Sequence, residues 1–492
     1  MRFSSRSRAF LLLSSLILQG VLITTTPLSA AESQVVADRQ KYFIFDTLII
    51  AEKTNVTLEQ GTVRKSPRNP LMVEDQPWEL RYDNLYANVS YDPVVKKYLC
   101  WYNPFIKWGA VEAVKRGEEK KEDFWQAHTS GKYKGWATGV TLATSTDGLT
   151  WEKPKLGLAD WKGSRENNIV APVNAPDIHG TGVFLDAQEK DPARRFKLFT
   201  RISGTRPLGV AFSADGIHFP QPQACIAPQK IHGDTHNNAL WAPTLGRYVA
   251  YTRMIDSTYG GRIVLRTESK DFIHWSPPVM VLSGTTAMQT YALLPCHDSG
   301  LYLGMVMMYD KAQDRTYCEL VWSRDTVAWH HLKPGVPFIP NGAKEGDYDW
   351  GCVYAAQPLV MEDEIRIYYG GSNGKHFGWR EGCLALATLR KDGWACFKAA
   401  GVTPGTVTTN PITCQGPDLH ISADAEGGSV KATVTAADGQ VIATSAPLTG
   451  NVTAKKLEFP DGINLAAHAG KPVVIKFELV NASLYAFEFS SR

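Results

Sequence analysis

The sequence predicts an all-β protein, a five-bladed β-propeller followed by a small C-terminal β-sandwich. Three observations carry this reading. A turn pattern, SxDxxx[WF], recurs four times along the chain. Strand-like runs recur in a fixed order upstream of each copy, and after Ala400 the composition shifts to Thr, Val, Ala, Gly and Asp with few aromatics until Tyr485. At 492 residues the chain is longer than one hydrophobic core normally serves, so more than one domain is expected. Charged residues make up 21% and aromatics 11%, too apolar and too aromatic for a disordered chain. Fifty-two Lys and Arg against 49 Asp and Glu leave +3, no field large enough to capture nucleic acid or an anionic membrane.

Taken in order, residues 1–30 read as a signal peptide. Arg2, Arg6 and Arg8 precede an apolar stretch from Ala9 to Ile23, and Leu28-Ser29-Ala30 offers small residues for cleavage. The stretch is short for a bilayer span and Gln19 and Gly20 interrupt it. The expected location is therefore secreted or periplasmic, with no membrane span. The eight Cys would then lie where disulfides are permitted; they form no CxxC pair, and their connectivity cannot be read from sequence. Residues 31–68 are expected as a lead-in segment, 69–400 as the propeller and 401–492 as the sandwich.

The propeller rests on the repeats Ser145-Thr-Asp-Gly-Leu-Thr-Trp151, Ser213-Ala-Asp-Gly-Ile-His-Phe219, Ser269-Lys-Asp-Phe-Ile-His-Trp275 and Ser323-Arg-Asp-Thr-Val-Ala-Trp329, with Lys391-Asp-Gly-Trp394 as a degenerate fifth. Asp and Gly accept turn geometry, Ser bonds the turn backbone, and the aromatic is placed to pack between sheets. Runs such as Lys97 to Tyr102, Arg195 to Thr200, Arg247 to Thr252, Leu301 to Val306 and Glu364 to Tyr369 supply a strand before each turn, and a further strand precedes each of these. Ile106 to Trp136 is an insertion in the first unit; its run Lys115 to Asp123 is heavily charged, and it reads first as a solvated surface helix and second as a lid over the pocket. Beyond Ala400, alternation in Ser429 to Val434 and Val473 to Leu479 predicts sandwich strands.

In a propeller the innermost strands line the axis, so the loops leading into them converge on one pocket. Those loops carry Asp83 and Asn84; Asp177 and His179; Asp234, His236 and Asn237; Gln289 and Tyr291; and Asp349 with Trp350. One Asp before a strand is an ordinary turn residue, but repetition at equivalent places points to chemistry. Converging carboxylates are what glycoside hydrolysis requires: one acid for the leaving oxygen and one carboxylate as base or nucleophile. Asp83, Asp177 and Asp234 are the catalytic candidates. Asn84, His179, His236, Asn237, Trp241, Arg253, Gln289, Tyr291, Asp349, Trp350 and Tyr354 are candidates for sugar stacking and hydroxyl binding. His232, Asp234 and His236 alternate as metal ligands could, but no fourth ligand is specified, and no metal is assigned.

These repeats, the Asp residues at the first three mouths and the C-terminal sandwich resemble the secreted five-bladed propeller glycosidases of families 32 and 43 and their relatives. The resemblance implies a base or nucleophile at Asp83, a transition-state or pKa-tuning role at Asp177 and the acid at Asp234, with a poly- or oligosaccharide as partner, a monomer, and no required cofactor, an axial Ca²⁺ being held by some members. Tyr82-Asp-Asn-Leu-Tyr86 stands where family 32 has Asn-Asp-Pro-Asn-Gly, and Asp177-Ile-His where it has Arg-Asp-Pro. Two other readings stand beside glycosidase: a non-catalytic glycan-binding propeller, and a sialidase-like enzyme using Arg201, Arg206, Arg253 and Arg262 for a sugar carboxylate.

Overall fold

The computed structural model describes residues 39, 41–171, 178–202, 208–225, 231 and 233–490. The signal-like stretch, Asp177, Arg206 and His232 lie outside these residues. The architecture is all β apart from short helical segments, a propeller joined to a curled C-terminal sheet.

Antiparallel sets follow one another along the propeller. The first comprises Asn88–Asp92, Lys97–Tyr102, Val140–Ser145 and Ile169–Ala171; the second Ile178–Leu185, Phe196–Ile202, Leu208–Ser213 and Gln223–Ala224. The third holds Asn238–Ala242, Arg247–Asp256, Gly261–Ser269 and Val279–Ser283, and the fourth Met288–Asp298, Leu301–Asp310, Arg315–Ser323 and His330–His331. The fifth holds Cys352–Ala355, Glu364–Ser372 and Gly382–Arg390, and its outer positions are filled from the N-terminal side: Lys65 pairs with Ala387 and Met72 with Leu384. One parallel bridge, Thr316 to Cys352, joins the fourth and fifth sets.

The turn repeat is built as its residues dictate. In the first copy Gly148 N–H donates to Ser145 Oγ at 2.8 Å, and the Leu149 and Thr150 N–H groups both donate to Asp147 Oδ1 at 2.7 Å. The copies at Ser213, Ser269 and Ser323 repeat this pattern. Each turn docks on the preceding set through its aromatic. Trp275 lies 5.2 Å from Phe199, Trp329 5.9 Å from Tyr251, and Phe219 joins the cluster of Trp101 and Phe196. Trp151 packs 5.8 Å from Tyr368, linking the first set to the fifth, so the sets form a ring. An aromatic of the preceding set also donates to a turn carbonyl: Trp101 Nε1 to Gly216, Tyr251 OH to Thr326, and Tyr368 OH to Gly148, at 2.6 to 3.0 Å. Buried groups that would otherwise lack partners are thereby satisfied where two sheets meet.

The C-terminal part is one continuous hydrogen-bonded sheet that curls over its own core. Its long strand Leu419–Ala436 pairs at one end with Leu448–Lys456 and Ala482–Phe489 and at the other with Val441–Thr444 and Pro472–Val480. Alternation puts Leu419, Ile421, Ala423, Val430, Ala432 and Val434 inside, with Phe477 and Phe487 opposite. Segment 31–68 is more than a lead-in: Lys41–Phe43, Ile50–Thr54 and Thr57–Gln60 are strands of this sheet, and Arg64–Lys65 belongs to the propeller. Ala395–Ala399 likewise pairs into the C-terminal sheet before residue 401. The two parts share a core in which Phe43 and Phe45 sit with Trp322, Leu301 and Trp394. Arg39 and Arg324 both reach the buried Asp46 carboxylate, and Lys41 reaches Asp392 at 2.9 Å.

All eight cysteines are free, and six of them are buried. Among the described residues no helix is long and apolar enough to cross a membrane.

Candidate active site

The loop into the first innermost strand is unusual. Asp83, Leu85 and Tyr86 have φ of 55°, 60° and 46°, left-handed values that cost a side-chain-bearing residue about 1 kcal/mol or more. The innermost strand begins only after this coil, at Asn88. Leu85 N–H donating to Tyr82 O and Tyr86 N–H to Asn84 O hold the coil. It carries Asp83 and Asn84 into the lining of the cavity that Asp234 also borders.

Where the ring closes, Asp83 meets the hairpin loop 373–381 of the fifth set. Arg380 donates through Nη2 to Asp83 Oδ1 at 2.5 Å and to Asn84 Oδ1 at 2.8 Å, while Arg81 stands 3.2 Å from the same carboxylate. Burial alone would raise the Asp83 carboxyl, but Arg380 and Arg81 hold it down at about 2. His376 Nδ1 of the same loop lies in hydrogen-bond contact with Tyr354 OH at 2.9 Å, and burial with Arg380 beside it keeps the imidazole neutral, well below its usual range.

Asp234, on the loop of the third set, opens to the same space with its side chain 44% exposed. His179 Nε2 lies 2.9 Å from one carboxylate oxygen and Arg253 Nη2 2.9 Å from the other, with Arg201 at 4.0 Å. Burial pushes this carboxyl up, but Arg253 and His179 outweigh it and keep it well below the usual range. The approach that makes this possible depends on Gly180, φ 60°, where a Cβ would stand 1.6 Å from the Thr235 carbonyl.

The two carboxylates belong to one cavity of about 200 Å³. Its floor includes Asn84, Tyr86 and Tyr291; His376, Arg262 and Arg380 form one side, and Phe105, Trp108, Trp125, His128 and Trp136 another. Trp108, Trp125, His128 and Trp136 come from the insertion and Phe105 immediately precedes it; the helices Gly109–Lys115 and Phe124–Thr129 stand at the rim, so the charged insertion is a cavity wall rather than a solvated surface helix alone. It is clamped to the fifth set by Trp125 on Phe377 at 4.7 Å and Phe124 on Trp379 at 5.6 Å, and Arg81, ahead of the first set, lays its guanidinium over Phe124 at 4.7 Å.

Of the expected catalytic residues the structure brings Asp83 and Asp234 together; Asp177 lies outside the described residues. Among the expected substrate-binding residues, Asn84, His179, Arg253 and Tyr291 line the cavity. Tyr354 is one layer behind, edge-on to Tyr291 at 5.5 Å. His236 is buried beneath Tyr86 and bonds Asn88 at 2.8 Å, turned away from the carboxylate that its neighbour Asp234 presents. Asn237 spends its amide on the Gly180 and Gly233 carbonyls, and Gln289 holds Arg262 at 2.6 Å. Trp241 packs on Tyr248 beside a different groove, lined also by Ala239 and Gln357, because inner-strand residues past the mouth run away from the site. Asp349 is buried against Lys65 at 2.6 Å and Tyr369 at 2.9 Å, and Trp350 lies under Arg315, both outside the cavity wall. Among the described residues no cluster of three or more His, Cys, Asp or Glu is arranged to hold a metal ion.

Inspection of strand mouths alone overlooks His376, Phe377 and Arg380, which come from a hairpin between later strands, and the Trp residues of the insertion. Arg81, two residues before Asp83, and the aromatic density of 105–136 were the available signals.

No family model matches the chain, and no curated protein matches it. Solved structures similar to this chain exist. An N-acetylgalactosamine deacetylase from F. plautii is 12% identical, covering 68% of this chain and 96% of its own, with a TM-score of 0.42. A family 43 arabinoxylan arabinofuranohydrolase from Bacillus subtilis is 10% identical over 86% of this chain and 98% of its own, TM-score 0.43. A β-1,2-mannobiose phosphorylase from Listeria innocua is 12% identical over 67% and 97%, TM-score 0.43.

Proposed function

We propose that this protein is a glycan-acting enzyme, a glycosidase of a five-bladed propeller, that cleaves a glycosidic bond in the cavity between Asp83 and Asp234. The observation that carries this is the convergence of two carboxylates from separate blades on one cavity, on the scale of a sugar ring, beneath a wall of tryptophans. Aromatic faces stack on the apolar faces of sugars, and paired carboxylates serve cleavage at the anomeric carbon.

The ion pairs revise the division of labour that resemblance implies. Both carboxyls are held as anions, so Asp83 and Asp234 suit the base, nucleophile or cation-stabilising roles, and Asp234 is a poor proton donor at neutral pH. Asp177 stays in the proposed catalytic set on its place in the sequence. Secretion likewise remains a proposal resting on residues 1–30.

Release of reducing ends from a panel of neutral and acidic polysaccharides tests the reading. Turnover that Asp83→Asn and Asp234→Asn each lower about 10²-fold or more is expected. Binding to a glycan without turnover of any panel member would replace it with the glycan-binding reading.

A further inference from the structure

Resting on that reading, we propose that the cavity selects a sugar carrying an oxyanion, a carboxylate or a sulfate ester, and that Arg253 and Arg262 grip it. The evidence is a mismatch of charge and of hydrogen bonding. Arg253, Arg262 and Arg380 line the cavity and Arg81 backs it, four guanidiniums against the carboxylates of Asp83 and Asp234. Glu74, within Coulomb reach of Arg81, does not line the cavity, and counting it as ionised still leaves an excess of positive charge.

The excess is not spread evenly. Arg380 spends both Nη1 and Nη2, on Asp83, Asn84 and Cys352 Sγ, leaving only its Nε unmatched among the described residues. Arg253 gives only Nη2 to Asp234; its Nε and Nη1 have no hydrogen-bond partner among the described residues, although the residue is 1% exposed. Arg262 has Gln289 on Nη1, a neutral partner, and its Nε is also unmatched among the described residues. Leaving buried donors of a cation unmatched is costly, and a ligand oxyanion supplies the acceptors.

The two guanidiniums are neighbours. Arg253 lies over the Tyr291 ring at 4.6 Å and Arg262 over the same ring at 5.3 Å, and Arg262 also lies over Tyr309 at 4.9 Å. Tyrosine faces offset part of the repulsion between like charges and fix both forks in orientation. A ligand anion above Tyr291 would put its sugar ring between Asp83 and Asp234.

Binding measured apart from turnover tests this. Quenching of tryptophan fluorescence is followed with glucuronate and galacturonate, with glucose 6-sulfate, and with glucose and galactose, on the full chain. Saturable binding is expected for at least one acidic sugar, with the neutral counterparts about tenfold or more weaker, and the carboxylate and sulfate arms identify which oxyanion is read. Arg262→Met should remove the preference, and Arg262→Lys, which keeps the charge and loses the fork, should retain part of it. Equal binding of acidic and neutral sugars, or an unchanged preference in a folded Arg262→Met protein, overturns the inference. Hydrolysis of neutral glycans with no affinity for acidic sugars would sink it while sparing the catalytic reading; acidic-sugar binding without hydrolysis of any glycan would do the reverse.

Discussion

Arg380, on the last hairpin of the propeller, donates to Asp83, at the start of its first set, across 297 positions of sequence. The contact joins the two ends of the ring at the site, and the same guanidinium holds Asn84 at 2.8 Å. One side chain therefore contributes both to closure of the ring and to ionisation of the carboxylate.

Replacing Arg380 by Met should do two things. Asp83 keeps only Arg81, so its carboxyl should climb from about 2 toward the ordinary range near 4, and the acid limb of any pH-rate profile should move up with it. Breaking a buried pair from one side also costs about 3 kcal/mol of stability. Urea unfolding and a pH-rate profile read the two effects; an acid limb unmoved in the folded variant would deny Asp83 a role in turnover.

Asp234→Asn should lower turnover about 10²–10⁴-fold; the side chain is 44% exposed and its replacement makes no cavity, so the fold should survive with some loss of stability from the buried Arg253 left without its carboxylate. Because Arg253 and His179 hold the native group ionised, the loss should be similar for natural glycosides and for aryl glycosides with good leaving groups. Aryl substrates spared selectively would return Asp234 to the acid role.

Glu74 accepts from the Tyr82 and Gly382 N–H groups, yet burial raises its carboxyl to about 7. A carboxyl whose pKa is higher folded than unfolded favours the protonated form, so its stabilisation is complete below about 4.5 and is lost as pH rises through 7. Glu74→Gln should flatten that decline, by at most about 3 kcal/mol, and be the more stable protein at pH 8. Melting curves from pH 4 to 8 that run parallel for the two proteins would refute this.

Trp125, 37% exposed, rests on Phe377 and faces the cavity. Trp125→Ala should raise KM about three- to tenfold and change kcat little, as expected for a group that stacks on substrate without touching the reacting atoms. A fall in kcat with KM unchanged would place the insertion in the chemical step instead.

By itself the sequence determined what is local and repeated. The Ser and Asp of each turn bind backbone within three residues, so SxDxxx[WF] names its own hydrogen bonds, and period-two alternation names the buried face of strands such as Leu419–Ala436. Order of strands, the ring and the carboxylates at its mouths follow from that repetition. Tertiary structure decided what depends on distant partners: that Arg64–Lys65 completes the fifth set, that Lys41–Phe43 belongs to the C-terminal sheet, and that the insertion walls the cavity. It also decided the charge state of the site. An Asp at a strand mouth reads alike whether it faces solvent or two guanidiniums, and Arg380 reaches Asp83 only once the ring has closed, because Coulomb energy depends on separation in space and not along the chain.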